Sequence, residues 1–141
     1  MDIKRAVKIF PSFIRKEIIP TEAREQNIEV YRVCKWGKIE SKAFLSTYEE
    51  REMKLCPYRD LDLSDPSTYS TSCYEKKKDI KRYFKLMSKK HEPLSILTKG
   101  LTKDCCGVSQ RTSERIPTQK DSHVDWWLYI NSKPEEHFEE V

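Results

Sequence analysis

The strongest constraint on the fold is a run of alternating side chains near the C-terminus, HVDWWLYI at residues 123–130. Successive side chains of a β-strand point to opposite faces of a sheet. One face of this strand is apolar and consists of Val124, Trp126, Leu128 and Ile130. The other face combines titratable and aromatic groups, namely His123, Asp125, Trp127 and Tyr129. We predict that the apolar face packs in the core. The other face either lines a cleft or lies exposed at a sheet edge.

β-Branched and aromatic residues predict the other strands. They indicate a strand at 28–34, a brief one at 44–45 and a third at 94–98. Two intervening stretches, 56–70 and 102–121, are rich in turn-forming residues and lack periodicity. We predict that both are long loops, which in a compact domain are commonly functional or mobile.

Helical spacing and capping patterns predict the helices. Apolar residues indicate two short N-terminal helices at 2–10 and 13–19, separated by Pro11. Ser46 and Glu49 have the spacing of a capping box and predict a short helix after the strand at 44–45.

The clearest helix is predicted at 75–90. Ser72 and Glu75 have capping-box spacing, and an apolar stripe follows at Ile80, Tyr83, Phe84 and Met87. These elements together predict an α+β fold: N-terminal helices plus a small mixed or antiparallel sheet with a flanking helix at 75–90. The length of 141 residues predicts a single domain, 1–141, with an acidic C-terminal tail at 133–141.

Composition excludes several classes of protein. The five cysteines have no CxxC spacing, the N-terminal residues are charged, and no apolar run approaches about 20 residues. We therefore expect a cytoplasmic protein without a membrane segment. Three glycines are too few for a glycine-rich phosphate loop. His123 and Asp125 offer two ligands from one strand face. No metal is expected, because no other histidine has supporting spacing and adjacent cysteines rarely point at one metal.

Two further groups of residues are candidates for binding. Arg32 is a charge inside an otherwise apolar strand, so it forms a salt bridge, lies on an edge strand, or clamps a phosphate or carboxylate. Ser70, Thr71 and Ser72 precede the helix at 75–90, where hydroxyl and backbone N–H groups either cap the helix or bind an anion or ribose. His123 and Asp125 are candidates for acid–base chemistry.

The segment 75–103 is strongly basic. It contains ten lysines and arginines against three acidic residues, a net charge of +7, which leaves −3 for the rest of the chain. Such lysines either form a solvated helix face or bind nucleic acid or an acidic protein.

Sequence blocks of this chain also resemble known proteins. DPSTYSTS, SQRTSERIP and SHVDWW resemble small bacterial proteins without an assigned activity. The order of Val30-Tyr31-Arg32, then Ser70-Thr71-Ser72, then the last strand is similar to the ADP-ribosyltransferase fold; Ser46-Thr47 is a competing match to the second element. The resemblance implies that the arginine contacts NAD and that the last strand presents a catalytic glutamate. Residues 123–130 contain no glutamate, so His123 or Asp125 would take its place.

Two functions follow as hypotheses. The first is a nucleotide- or NAD-binding protein, or a variant transferase without the usual glutamate. Its catalytic residues would be His123 and Asp125, and its cofactor would contact Arg32, Ser70, Thr71, Ser72, Trp127 and Tyr129. The second is a non-enzymatic interaction protein, an accessory or inhibitor from a mobile element. It would bind nucleic acid or an acidic protein through Lys76–Lys90.

Overall fold

The computed structural model describes residues 8–55, 60–90 and 94–141. Their main feature is a six-stranded sheet in which every paired neighbour is antiparallel. The strand order is β4-β5-β2-β1-β3-β6. The strands are β1 (Glu29–Cys34), β2 (Thr71–Tyr74), β3 (Ile96–Leu101), β4 (Gly107–Arg111), β5 (His123–Leu128) and β6 (Phe138–Glu140). Two α-helices accompany them, α1 (Thr47–Glu52) and α2 (Lys77–Lys90).

The predicted architecture of N-terminal helices plus a small sheet is wrong. Within residues 8–19 the structure contains a single 3-10 turn, Lys16–Ile18, and residues 2–7 of the first predicted helix lie outside the described part. Pro11 and Pro20 enclose a segment too short to form a stable helix by itself. Its apolar side chains instead pack on the sheet as irregular chain, and the carbonyl of Ile9 accepts a hydrogen bond from the Ile130 N–H at 2.7 Å.

Several local predictions also fail because long-range pairing overrides local pattern. The predicted loop 102–121 contains β4, which pairs along β5, and the predicted strand at 44–45 is the end of a 3-10 helix, Ser41–Phe44. In the predicted loop 56–70, by contrast, residues 60–65 contain no helix or strand and are followed by a short 3-10 helix, Pro66–Tyr69; residues 56–59 lie outside the described part. Strand formation depends on the partner strand, and this information is not local in the sequence.

The acidic C-terminal segment is part of the fold. It forms a 3-10 helix, Pro134–His137, and then β6, which pairs with β3. Gly100 of β3 permits this, because a Cβ at Gly100 would clash with the carbonyl of His137 and with the ring of Phe138. Phe138 is 9% exposed and packs against Phe44 with ring centroids 4.9 Å apart.

The two predicted capping boxes have different outcomes. Ser46 and Glu49 form the predicted box at the start of α1. The box predicted for Ser72 and Glu75 is wrong, because Ser72 belongs to β2 and α2 begins at Lys77. The hydroxyl of Ser122, just before β5, instead accepts the Lys76 N–H at 2.8 Å.

The apolar stripe of α2 is partly confirmed. Ile80 is buried, Tyr83 and Phe84 are half-buried, and the Met87 side chain lies outside the described part. The helix contacts β1 and β2.

Both faces of the sheet are covered. Trp126 and Trp127 are each fully buried, yet they belong to different apolar clusters. We call the side of Trp126 the first face; its cluster includes Val30, Cys73, Val124 and Phe138. The side of Trp127 is the second face, where the N-terminal segment packs.

The predicted division of residues 123–130 is therefore confirmed for Val124 and Trp126. Ile130 is an exception, because it lies beyond β5 and is 42% exposed. The alternative of an edge strand is wrong, since β5 lies between β4 and β2. Among the described residues, no helix is long and apolar enough to cross a membrane.

The packing of β6 gives a first prediction. Phe138→Ala should lower the free energy of unfolding by about 3 kcal/mol, because it leaves a cavity between the rings of Phe44 and Trp126. The exposed neighbour Glu139→Ala should change it by less than about 0.5 kcal/mol. Urea denaturation of both variants measures the difference, and equal, small effects would show that the acidic segment does not belong to the folded core.

Candidate functional site

Arg32 is bonded to the protein's own backbone. Its side chain is buried, with the residue 7% exposed, and its guanidinium donates to the carbonyls of Ala43 (3.0 Å), Ser72 (2.7 Å) and Leu45 (3.3 Å). Each of its three nitrogens thus has a backbone acceptor. These bonds fix residues 43–45 against β1 and β2, so the side chain holds the chain together at the position where a phosphate clamp was predicted.

The other predicted contacts are divided between the two faces. Directly paired residues of antiparallel strands share a face. Thr71 pairs with Trp126 and therefore lies on the first face, where its hydroxyl donates to the Phe44 carbonyl at 2.6 Å. Ser72 pairs with Asp125 on the second face. Arg32 and Thr71 thus lie on the opposite side of the sheet from His123 and Asp125, and the structure does not bring the predicted cofactor residues into one cleft.

Trp127 and Tyr129 lie on the second face inside an apolar cluster. The indole N–H of Trp127 donates to the Pro66 carbonyl at 3.0 Å. The hydroxyl of Tyr129 donates to Glu25 at 2.6 Å, and its ring packs on Phe10. Burial and the bond to Glu25 raise the pKa of Tyr129. Both rings are covered by the N-terminal segment and have no open face for a ligand base.

Asp125 is the centre of a polar network on the second face. The residue is completely buried, yet it is a carboxylate, so it requires partners. It accepts hydrogen bonds from the hydroxyls of Ser70 (2.6 Å) and Thr112 (2.8 Å) and from the guanidinium of Arg115 (3.0 Å). The Arg115 side chain also donates to Ser67 at 2.9 Å. The network ties the segment before β2 and the segment after β4 to β5.

The same network fixes the tautomer of His123. The Thr112 hydroxyl lies 2.6 Å from Nδ1 of His123 and 2.8 Å from Oδ2 of Asp125. A carboxylate paired with an arginine can only accept, so the single hydroxyl proton of Thr112 goes to Asp125. Nδ1 must then carry the proton that Thr112 accepts. In the neutral imidazole, Nε2 is then left with its lone pair, and no described residue forms a hydrogen bond with it.

A cavity of about 370 Å³ lies between α2 and the segment before β5. It is lined by Asp79, Arg82, Thr118, Gln119, Lys120 and Asp121. Asp121 connects this cavity to His123, because it lines the cavity and accepts the His123 N–H at 3.2 Å. The ring of Tyr74 packs edge-on against His123 with centroids 5.2 Å apart. Burial raises the pKa of Tyr74 to about 12, and the negative charges of Asp121 and Asp79 add to that effect. Tyr74 thus keeps its proton at neutral pH next to His123, within electrostatic range of the lining residues Asp79 and Asp121.

The charged side chains around the cavity differ in whether they already have a partner within the protein. Asp79 accepts two hydrogen bonds from Ser122, which lower the pKa of this carboxyl group. Asp121 accepts from the Gln119 amide at 2.6 Å and from the His123 N–H at 3.2 Å. Arg82 and Lys120 are exposed and form no ion pair within the described residues. The lining thus combines two cationic and two acidic side chains, and within the described residues only the cationic ones have no partner. Arg82 and Lys120 are therefore the groups available to an anionic ligand.

Several residues of this site were not predicted from the sequence. Thr112 and Arg115 lie in the stretch interpreted as a loop, and Tyr74 was assigned to no element. The available signal was weak: Gln110 and Thr112 follow Val108 at the two-residue spacing of a strand. Contacts that arise from the pairing of distant strands leave no pattern in the local sequence.

Comparison with protein-family models, with curated proteins and with solved structures finds no match to this chain. The function is therefore inferred from the chemistry of the site itself.

The position of Arg32 yields a prediction about stability. Arg32→Ala should lower the free energy of unfolding by about 3 kcal/mol, because it leaves three backbone carbonyls in the interior without donors. Arg51, which is partly exposed, provides the control, and Arg51→Ala should cost less than about 1 kcal/mol. Chemical denaturation distinguishes the two. An Arg32→Ala protein of unchanged stability would show that the side chain is available to a ligand after all.

Proposed function

We propose that this protein binds a nucleotide or a related phosphate-bearing ligand in the cavity between α2 and residues 118–121. His123 is the hydrogen-bonding and acid–base group of the site. The observation that carries the proposal is the chain of hydrogen bonds from Asp125 through Thr112 to His123, whose Nε2 has no hydrogen-bond partner among the described residues. In the adjoining cavity, Arg82 and Lys120 form no ion pair within those residues.

The recognition of phosphate rests on three donors of different kinds. Arg82 offers a planar guanidinium that suits two phosphate oxygens, and Lys120 adds a second positive charge. The Tyr74 hydroxyl keeps its proton at neutral pH and can donate it to an oxygen of the ligand.

The chemistry of the site depends on the fixed imidazole. The His123 side chain is 13% exposed and is held by Thr112 on one side and by the Tyr74 ring on another. With Nδ1 protonated, Nε2 is able to accept a proton from a hydroxyl group or a water molecule of a bound substrate. Asp125 acts through Thr112 as a positioning residue.

NAD is the first ligand to test. The three elements on which the resemblance to ADP-ribosyltransferases rests lie on neighbouring strands, β1, β2 and β5. This adjacency supports a nucleotide site near these strands. Because His123 and Asp125 lie on the second face and Arg32 on the first, we place the ligand site on the second face, and Arg32 is not part of it.

The test is equilibrium binding, measured by calorimetry, of NAD, ADP-ribose and inorganic phosphate. For whichever of these ligands the wild-type protein binds, Arg82→Gln and His123→Gln should each weaken the affinity by about tenfold or more. This is the effect of losing one charged or fixed hydrogen bond. Lys81→Gln, a neighbouring exposed residue that does not line the cavity, should change affinity less than about twofold. Binding that survives both substitutions unchanged, or no binding of any of the three ligands, contradicts the proposal.

A second candidate function is binding of nucleic acid through α2. Six cationic side chains at the start of this helix are exposed, and within the described residues none forms an ion pair: Lys76, Lys77, Lys78, Lys81, Arg82 and Lys85. Unpaired positive charges along one helix suit a phosphate backbone.

Salt dependence distinguishes this candidate from the first. Binding of a single-stranded oligonucleotide should weaken steeply between 50 and 200 mM salt, with a logarithmic slope of about −0.7 for each phosphate neutralised. Changing Lys77, Lys78, Lys81 and Lys85 together to Gln should flatten that slope, whereas His123→Gln should leave it unchanged. An affinity that stays constant across this salt range excludes the candidate.

A further inference from the structure

A cluster of potential metal ligands lies where the β3–β4 connection meets the C-terminal segment. Cys105 is exposed, Cys106 is buried and His137 is half-buried, and one ligand atom from each lies within 4.8 Å of the others. Cys105 and His137 are separated by 32 positions in the sequence, and only the pairing of β6 with β3 brings them together. The cluster shares no residue with the His123 site.

The spacing of the two sulfur atoms fits tetrahedral coordination. The Sγ atoms of Cys105 and Cys106 are 4.0 Å apart. Two thiolates bound to zinc at about 2.3 Å with a tetrahedral angle lie about 3.8 Å apart. The expectation that adjacent cysteines do not point at one metal therefore does not apply to this conformation.

Both sides of the cluster are held by the fold. The carbonyl of Cys106 accepts the Tyr129 N–H at 2.8 Å, and the N–H of Cys106 donates to the carbonyl of Lys103 at 2.9 Å. On the other side, the carbonyl of His137 packs directly over Gly100, and the following residue, Phe138, is paired with β3. The ligands are therefore positioned by the sheet rather than by their own contacts.

Glu135 provides an independent indication of a cation. One of its carboxylate oxygens, Oε1, is completely buried and has no hydrogen-bond partner among the described residues. Glu135 lies in the same 3-10 helix as His137, Pro134–His137, two residues before it. A buried carboxylate oxygen without a donor is costly, and a nearby cation removes that cost.

We propose that Cys105, Cys106 and His137 bind a zinc ion, and that the Glu135 carboxylate turns to fill the fourth position. Sulfur and imidazole ligands favour zinc over magnesium or calcium, which prefer oxygen ligands. The two thiols lose their protons to the solvent as the zinc–sulfur bonds form, so binding releases two protons for each ion. The bound ion joins the β3–β4 connection to the C-terminal segment and stabilises that corner of the fold.

The test uses the full chain, reduced and freed of metal by a chelator. Zinc should bind with a stoichiometry of one, measured by elemental analysis after dialysis, and Co²⁺ in its place should give the thiolate charge-transfer absorption of a tetrahedral site. Cys105→Ser, His137→Gln and Glu135→Gln should each weaken zinc binding by at least about tenfold. Cys105 is exposed, so its substitution is expected to leave the fold intact.

His123→Gln is the matched histidine control, and it should bind zinc like the wild-type protein. Zinc should raise the melting temperature of the wild type and not that of Cys105→Ser. The proposal is overturned if the reduced protein takes up no zinc, or if Cys105→Ser and His137→Gln bind it as tightly as the wild type. The proposal is also overturned if the isolated protein contains a Cys105–Cys106 disulfide and still binds no zinc once that disulfide has been reduced.

Discussion

The hydrogen bonds of the Asp125 carboxylate organise the second face of the sheet. A completely buried carboxylate is tolerated only when donors replace the water that it has lost, and here Ser70, Thr112 and Arg115 do so. These donors come from two separate parts of the chain, and the acceptor lies in a third. The segment before β2, the turn after β4 and β5 itself are therefore positioned by one charge. The orientation of His123, and with it the proposed site, is a consequence of this arrangement.

The first face contains a buried charge that is satisfied in another way. Arg32 donates to three backbone carbonyls, so its partners are peptide groups of residues 43, 45 and 72. Backbone carbonyls are present whichever side chains the residues carry. Unlike an ion pair, they place no carboxylate beside Arg32. A guanidinium bound in this way acts as a cross-link between the sheet and the chain that covers it, whereas the carboxylate on the other face supports a group with free hydrogen-bonding capacity.

How far the site could be predicted depends on the range of the interactions. The alternation of residues 123–130 placed Trp126 in the core and His123 and Asp125 together on the other face, since a period of two is a property of the strand itself. The capping box of Ser46 and Glu49 was likewise readable, because both partners lie within one helical turn. Thr112 and Arg115 were missed, because their link to Asp125 arises from the pairing of β4 with β5.

By itself, the sequence determined which residues of the last long strand share a face, and where α1 begins. It did not determine what covers each face. The segments that pack there are residues 8–19 and 134–140, and their positions depend on contacts with distant strands. The tertiary structure alone decided that Arg32 is bonded to backbone carbonyls and that no described residue forms a hydrogen bond with Nε2 of His123. It also decided that Cys105, Cys106 and His137 meet. The physical reason is that burial and hydrogen-bond satisfaction are properties of the assembled sheet, whereas periodicity and capping are properties of a few consecutive residues.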